Sequence, residues 1–289
     1  MCLKTSSSES RACLCTSDKQ EVDDKAIKLD KAHLTAEQKL ARRDFCAQFR
    51  SNAPHGRDHD MANVVHLDEK WFYLTKLRRR FLVWHDETIL PRYIQSKAHI
   101  TKVMFLVAVA RPRPGWDGKV GCWEIVERTT AARSSVNRPA GTEVLRSVNV
   151  TRDVYRDLLV NKVLPAIKEK WPTANEPVYL QQDNARPHIS PEDAAFAAAA
   201  CVGGWDIRIL NQPPKSPDLN VLDLGFFNSI QALQQSLECQ TMDELIADVK
   251  SAFDLLAPST LERTFATLRR VMNIIIDCGG DNRYDVHEA

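Results

Sequence analysis

The chain has 289 residues, 44% of them hydrophobic, and 39 Lys or Arg against 38 Asp or Glu, for a net charge of +1. That length allows one large domain or two small ones with a sizeable buried core, and near-neutrality excludes a surface coated in positive charge. The longest apolar runs, MFLVAVA at 104–110 and NIIID at 273–277, fall far short of a bilayer span, and the Ser-rich start has no secretory apolar region. Eight scattered cysteines include no C-x-x-C pair, which argues against a zinc ribbon or a disulfide framework and for reduced thiols in a cytosolic or nuclear protein.

Residues 1–34 are polar and aperiodic and are expected to be a disordered leader. In LTAEQKLARRDFCAQF, Thr35 with Gln38 three residues on predicts a capped helix over 36–50, the start of a linker segment reaching residue 60. The β-rich NVVHLDEKWFYL at 63–74, RRFLVWH at 79–85 as its hairpin partner and TKVMFLVAVARP at 101–112 predict three strands. A strand-and-loop excursion rich in Gly, Pro, Arg and Ser follows at 112–149, and from Arg92 to Arg138 nine Lys or Arg stand against three acids. A helix is expected at 151–171, kinked at Pro165, then a strand at 177–180, an Ala-rich helix at 191–202 and a strand at 206–212. Beyond the Pro-rich loop PPKSPDLN, a helix at 222–237 and at least two more within 241–276 complete a mixed α/β sheet covered by helices. The expected domain lies at 61–238, with helices and a tail over 239–289.

Three acids fall where such a sheet could gather them. Asp68 lies inside an apolar strand, Asp183 follows a strand, and Asp223 opens the helix after the next strand. Hard divalent cations take carboxylate oxygens, and phosphodiester chemistry commonly uses a pair of them, so the three could share a metal site. Singly, each has a plainer reading: Asp68 as the partner of Lys70, Asp183 as a turn residue before Asn184, Asp223 as a helix cap. Together they argue for a site, because an unpaired charge inside an apolar strand is costly. Glu69 is expected to face away from Asp68, His188 to make a structural hydrogen bond, and Trp71, Phe72 and Trp84 to be core; HGRDHD at 55–60 reads as a solvated loop.

VVHLDEKWFYL, LQQDNARPH and QPPKSPDLNVLDLGFF resemble the three acidic motifs of mariner-type DNA transposases, in particular the plant and oomycete branch, whose third acid is an Asp 39 residues beyond the second. Here residues 184–222, 39 in number, separate Asp183 from Asp223. The similarity extends over residues 35–275 through LTAEQKLARRDFC, ITKVMFLVAVARPR, VNRPAGT and VLPAIKEKWP. It implies a ribonuclease H-like catalytic domain in which Asp68, Asp183 and Asp223 hold two Mg²⁺ or Mn²⁺ ions for DNA cleavage and strand transfer. Asp218, 34 residues beyond Asp183 when counted between the two, competes for the third place, but in the PDLNxxD pattern the last Asp is the catalytic one.

The resemblance further implies transposon-end and target DNA as partners, a homodimer, a nuclear location to which the KLRRR run at 76–80 adds little, and phosphate contacts from Arg111, Arg113, Arg133, Arg138 and Arg186. The helix-turn-helix modules of the family have no counterpart in the short leader, so a truncated, non-autonomous transposase is expected. Two other readings stay open: a domesticated or decayed non-catalytic DNA-binding or dimerising protein, and a metal-dependent nuclease without strand joining.

Overall fold

The computed structural model describes residues 33–51, 61–74, 101–134, 139–173, 176–237 and 239–284. The expected strand at 79–85, Trp84, the KLRRR run and the HGRDHD loop lie outside the described residues. The described residues from Leu34 onward form one compact unit. Helix α1 (Ala36–Ser51) starts as its capping residues dictate, with Gln38 N donating to Thr35 Oγ1 at 3.3 Å and Thr35 N to Gln38 Oε1 at 3.1 Å.

Six strands make one mixed sheet. They are β1 (Val64–Tyr73), β2 (Lys102–Ala110), β3 (Lys119–Thr130), β4 (Glu143–Ser147), β5 (Val178–Gln182) and β6 (Ile207–Asn211), in the spatial order β4-β3-β2-β1-β5-β6. β1, β2, β3 and β4 pair antiparallel in succession, whereas β5 is parallel to both β1 and β6. The excursion at 112–149 is therefore not a loop beside the sheet: its β3 and β4 extend one edge. Gly118 makes the turn into β3 with φ +80°, and a Cβ there would stand 2.2 Å from the Ala110 carbonyl oxygen, so only glycine fits.

Helices cover both faces of the sheet, which is why MFLVAVA is apolar without alternation. On one face Val64, Phe72, Val103, Phe105, Val107 and Val109 pack with α1 and with α5 (Phe227–Gln234), α6 (Met242–Leu255) and α7 (Pro258–Asp277). On the other, Val65, Leu67, Leu106 and Ala108 meet α2 (Arg152–Leu158), α3 (Leu164–Lys170) and α4 (Ala194–Ala200) through Tyr155, Leu159, Val163 and Phe196. Pro165 cannot donate to the carbonyl four residues back, and the chain widens into a π turn at Leu159–Val163 between α2 and α3. The helix expected from Pro191 begins later, because Asp193 is its cap: Asp193 Oδ1 accepts from Phe196 N at 3.0 Å and Oδ2 from Arg156 at 2.9 Å. The helix expected from Leu222 likewise opens as a π turn, Leu222–Phe226, before α5.

Candidate active site

Strand alternation decides which acids can meet. Val64, His66, Asp68, Lys70 and Phe72 point to the α5–α7 face of β1, and Glu69 points to the α2–α4 face. The parallel ladder between β1 and β5 ends with His66 opposite Gln181. Two residues on stand Asp68, within β1, and Asp183, just past the end of β5, so the same register brings both acids to one edge of the sheet, on neighbouring segments about 4.8 Å apart.

Asp223 arrives by a latched loop. After β6 the chain makes a 3₁₀ turn at Pro217–Leu219, and Leu219 O accepts from the buried Gln181 Nε2 at 2.8 Å. Asn220 Nδ2 then donates to Leu67 O at 2.9 Å, while its Oδ1 accepts from Leu222 N at 3.0 Å. Buried amides thus tie the loop to the residue before Asp68 and to the turn that carries Asp223. No sequence pattern short of PDLN itself signals these latches.

The electrostatics follow from this crowding. Burial, then the charge of Asp223, holds the Asp68 carboxyl well above the usual carboxylate range, with smaller contributions from Glu69 and Asp183. Asp68 Oδ1 accepts one compensating bond, from Glu69 N at 2.7 Å. Burial raises Asp223 as well, opposed by a hydrogen bond with Asp68 and by the charge of Lys70. Asp183 is lowered, chiefly by its hydrogen bond from His188. Three acids therefore lie in one another's field, although among the described residues no three His, Cys, Asp or Glu side chains already form a metal cage.

His188 is the residue whose importance the sequence understates. Its Nδ1 lies 2.8 Å from Asp183 Oδ1 and 2.9 Å from Asp183 O, and its Nε2 lies 3.2 Å from Glu69 Oε1. With an acceptor at each ring nitrogen, the ring has to be the imidazolium. Burial opposes that charge, but the bonds to Asp183 and Glu69 hold its pKa up to about 10. The ring also stacks on Tyr155, centroids 4.3 Å apart, and Tyr155 Oη donates to Gln182 Oε1 at 3.0 Å. Glu69 does face away from Asp68, and on that far face it anchors the histidine that restrains Asp183.

Asp218, the rival third acid, is engaged elsewhere. Arg42 grips it with two hydrogen bonds, and the Tyr284 hydroxyl bonds to the same carboxylate. The arginines expected at phosphates divide into groups. Arg111 forms a two-pronged pair with Glu262, at 2.7 and 3.2 Å. Arg113 donates to Ala62 O and to Thr173 Oγ1 and lies over the Trp171 ring. Arg133 and Arg186 are exposed, the latter three residues past Asp183, and Arg138 is outside the described residues.

Similar folds occur among solved structures. The catalytic domain of Mos1 mariner transposase superposes with a TM-score of 0.58 at 16% identity, covering 88% of this chain and 98% of that one. A pre-cleavage Mos1 transpososome gives 0.63 at 17% identity, covering 88% and 66%. The chain has the ribonuclease H-like fold of the Mos1 mariner transposase catalytic domain. A Mos1 paired-end complex with the left transposon end gives 0.60 at 18% identity, and this chain spans 64% of the length of the Mos1 chain there. Other Mos1 structures carry Mn or Mg. The sequence matches no protein-family model and no curated protein.

Proposed function

We propose that this chain is a mariner-like transposase catalytic domain that cleaves DNA and joins strands, with Asp68, Asp183 and Asp223 holding two Mg²⁺ or Mn²⁺ ions. The observation that carries the reading is the placement of Asp68, a buried carboxyl that shares a hydrogen bond with Asp223 and lies in the field of Asp183, with no cationic side chain bonded to it among the described residues. An all-oxygen donor set with excess negative charge suits a hard divalent cation. Bound there, such ions supply Lewis-acid stabilisation of phosphoryl oxygens and ease deprotonation of a water or a 3′-hydroxyl.

The protein's own groups provide position. Pairing with β2 fixes Asp68, the Asn220 latch fixes the turn bearing Asp223, and the His188 ring restrains Asp183. Preorganised ligands need no rearrangement when the substrate arrives. Lys70, whose charge reaches Asp223, and the exposed Arg186 are placed to orient the scissile phosphate. We assign backbone contacts to Arg186 and Arg133, and to Arg138 from its place in the sequence; Arg111 and Arg113 serve those contacts only by holding β2 and the turn after it in place. DNA as substrate places the protein in the nucleus, and joining two ends calls for a homodimer.

A plasmid assay tests the reading. Purified protein with Mg²⁺ or Mn²⁺ is expected to nick supercoiled plasmid and to join a 3′-hydroxyl strand to it, with both activities lost in Asp223→Asn. Nicking without joining leaves a nuclease, and no nicking at all overturns the catalytic reading.

A further inference from the structure

Half of the sixteen arginines among the described residues lie within 4.0 Å of a carboxylate. Arg42, Arg43, Arg111, Arg128, Arg156, Arg208 and Arg283 each approach one within 3.1 Å. The outer face of α7 gathers three of those without one. Leu261, Phe265, Leu268, Val271, Met272 and Ile275 turn inward, which leaves Arg263, Thr267 and Arg270 in a row on the face away from the core. Arg263 Nη2 donates to Thr260 Oγ1 at 3.2 Å and Arg270 Nη2 to Thr267 Oγ1 at 3.4 Å, hydroxyls that leave the positive charge unneutralised.

These residues line a groove of about 510 Å³ with Ala266, Arg269 and Asn273, and no acid is part of it. Arg269 and Asn273 also border a small crevice shared with Arg50 at the end of α1, so four guanidinium groups run continuously from α7 onto α1. Neither Arg50 nor Arg269 meets a carboxylate among the described residues. Four of the eight described arginines without a carboxylate partner thus share one surface of a chain whose net charge is only +1.

We propose that the outer face of α7, together with Arg50, is a contact surface for the phosphate backbone of duplex DNA, additional to the acid site. The inference rests on reading the chain as a DNA-processing enzyme. Several features fit a duplex backbone. Arg263 and Arg270 are seven residues apart, about 10 Å along the helix, and a DNA strand presents a phosphate every ~3.4 Å of its axis, so the row spans about three steps. Thr267 and Asn273 add neutral donors of the kind that commonly accompany arginine at phosphates. The residues lining the α7 groove include no aromatic platform for unstacked bases, which favours duplex over single strands. A second surface would hold DNA that flanks the cleaved bond and would contribute affinity without reading sequence.

The test is the salt dependence of binding by the full chain to a labelled duplex, with Arg50→Gln, Arg263→Gln, Arg269→Gln and Arg270→Gln combined. The control combines Arg43→Gln, Arg146→Gln, Lys162→Gln and Arg208→Gln, which removes the same formal charge from other exposed positions. Each lost phosphate contact lowers the slope of log affinity against log salt by about 0.9, so the α7 variant is expected to flatten by roughly 3–4 and the control by less than about 1. Equal slopes in wild type and the α7 variant, or equal flattening in both variants, overturn the proposal. So does an absence of duplex binding alongside binding to polyglutamate, which would identify an acidic protein as the partner. Plasmid nicking measured on the same preparations reports separately on the acid site, so a failed α7 surface and a failed catalytic reading give different results.

Discussion

Arg42 and Asp218 form a two-pronged ion pair, Nη1 to Oδ1 at 2.8 Å and Nη2 to Oδ2 at 2.7 Å, with the arginine fully buried. Arg42 Nε also donates to Gly280 O at 3.0 Å, so one guanidinium joins α1, the PDLN loop and the chain just beyond α7. Parallel charge-assisted bonds fix orientation as well as distance. Two residues past Asp218, Asn220 transmits that placement to Leu67 and Leu222, the neighbours of Asp68 and Asp223. In the proposed site Asp218 thereby acts as a positioning residue, holding the loop whose Asn220 reaches Leu67.

Substitution should separate the two acids. Arg42→Met leaves Asp218 without its buried partner and is expected to cost about 3 kcal/mol in urea unfolding, since breaking a buried pair is costlier than never having one. Asp218→Asn should lower stability too, yet reduce divalent-dependent cleavage per folded molecule less than tenfold. Asp223→Asn should abolish cleavage with little loss of stability. The reverse ranking of the two aspartates in cleavage would mean that the third acid is Asp218.

The His188 contact predicts a pH dependence. Its folded pKa, about 10, lies above the ordinary 6.5, so its stabilisation is complete below pH 6.5 and is lost as pH rises toward 10. His188→Phe keeps a ring against Tyr155 and removes the charge; at pH 6 it is expected to cost roughly 2 kcal/mol, the scale of a hydrogen bond to a charged group. That gap should narrow steadily by pH 10. A Glu69→Gln, His188→Phe double-mutant cycle should return a coupling above ~0.5 kcal/mol. A gap that stays constant with pH would show that the ring is neutral and the ion pair absent.

What the sequence disclosed and what it hid have physical reasons. MFLVAVA had to be a strand buried on both faces, and Thr35 with Gln38 had to start a helix, because apolar runs and local caps depend on near neighbours alone. β3 and β4 were obscured by the Gly-, Pro- and Arg-rich segments around them; β3 is held by pairing with β2 and β4 by pairing with β3, interactions between separated segments. The π turn before Pro165 and the late start of α4 at Asp193 turn on which backbone donors find partners, and composition does not record that. At the site, alternation in β1 correctly separated Asp68 from Glu69. The partners that restrain the acids were not legible: Arg42 lies 176 residues from Asp218, and His188 lies 119 from Glu69. Basic residues were hardest to judge, since Arg111 and Arg263 look alike in sequence and only the fold gives the former a glutamate.

The acid cluster itself predicts how stability responds to pH and metal. Asp68 has a folded pKa above the ordinary 3.8, so the unfolded chain releases that proton more readily. Below about pH 4 the repulsion costs nothing; as pH rises through and beyond the carboxylate range the metal-free protein loses stability relative to the unfolded chain. Asp68→Asn removes the titrating group while keeping its shape. At pH 7.5 in EDTA the variant should therefore be more stable than wild type by at least ~1.4 kcal/mol, the equivalent of one pKa unit, and at pH 3.5 the two should be nearly equal. Divalent metal should reverse the order. Mn²⁺ at a hundred times its dissociation constant is expected to stabilise wild type by about 2.7 kcal/mol and Asp68→Asn by much less, because binding adds stability only where the folded state provides the ligands. Urea unfolding with and without Mn²⁺ at the two pH values measures all four quantities. An Asp68→Asn protein less stable than wild type in EDTA at pH 7.5 would show that Asp68 is held by a partner and is not awaiting a cation.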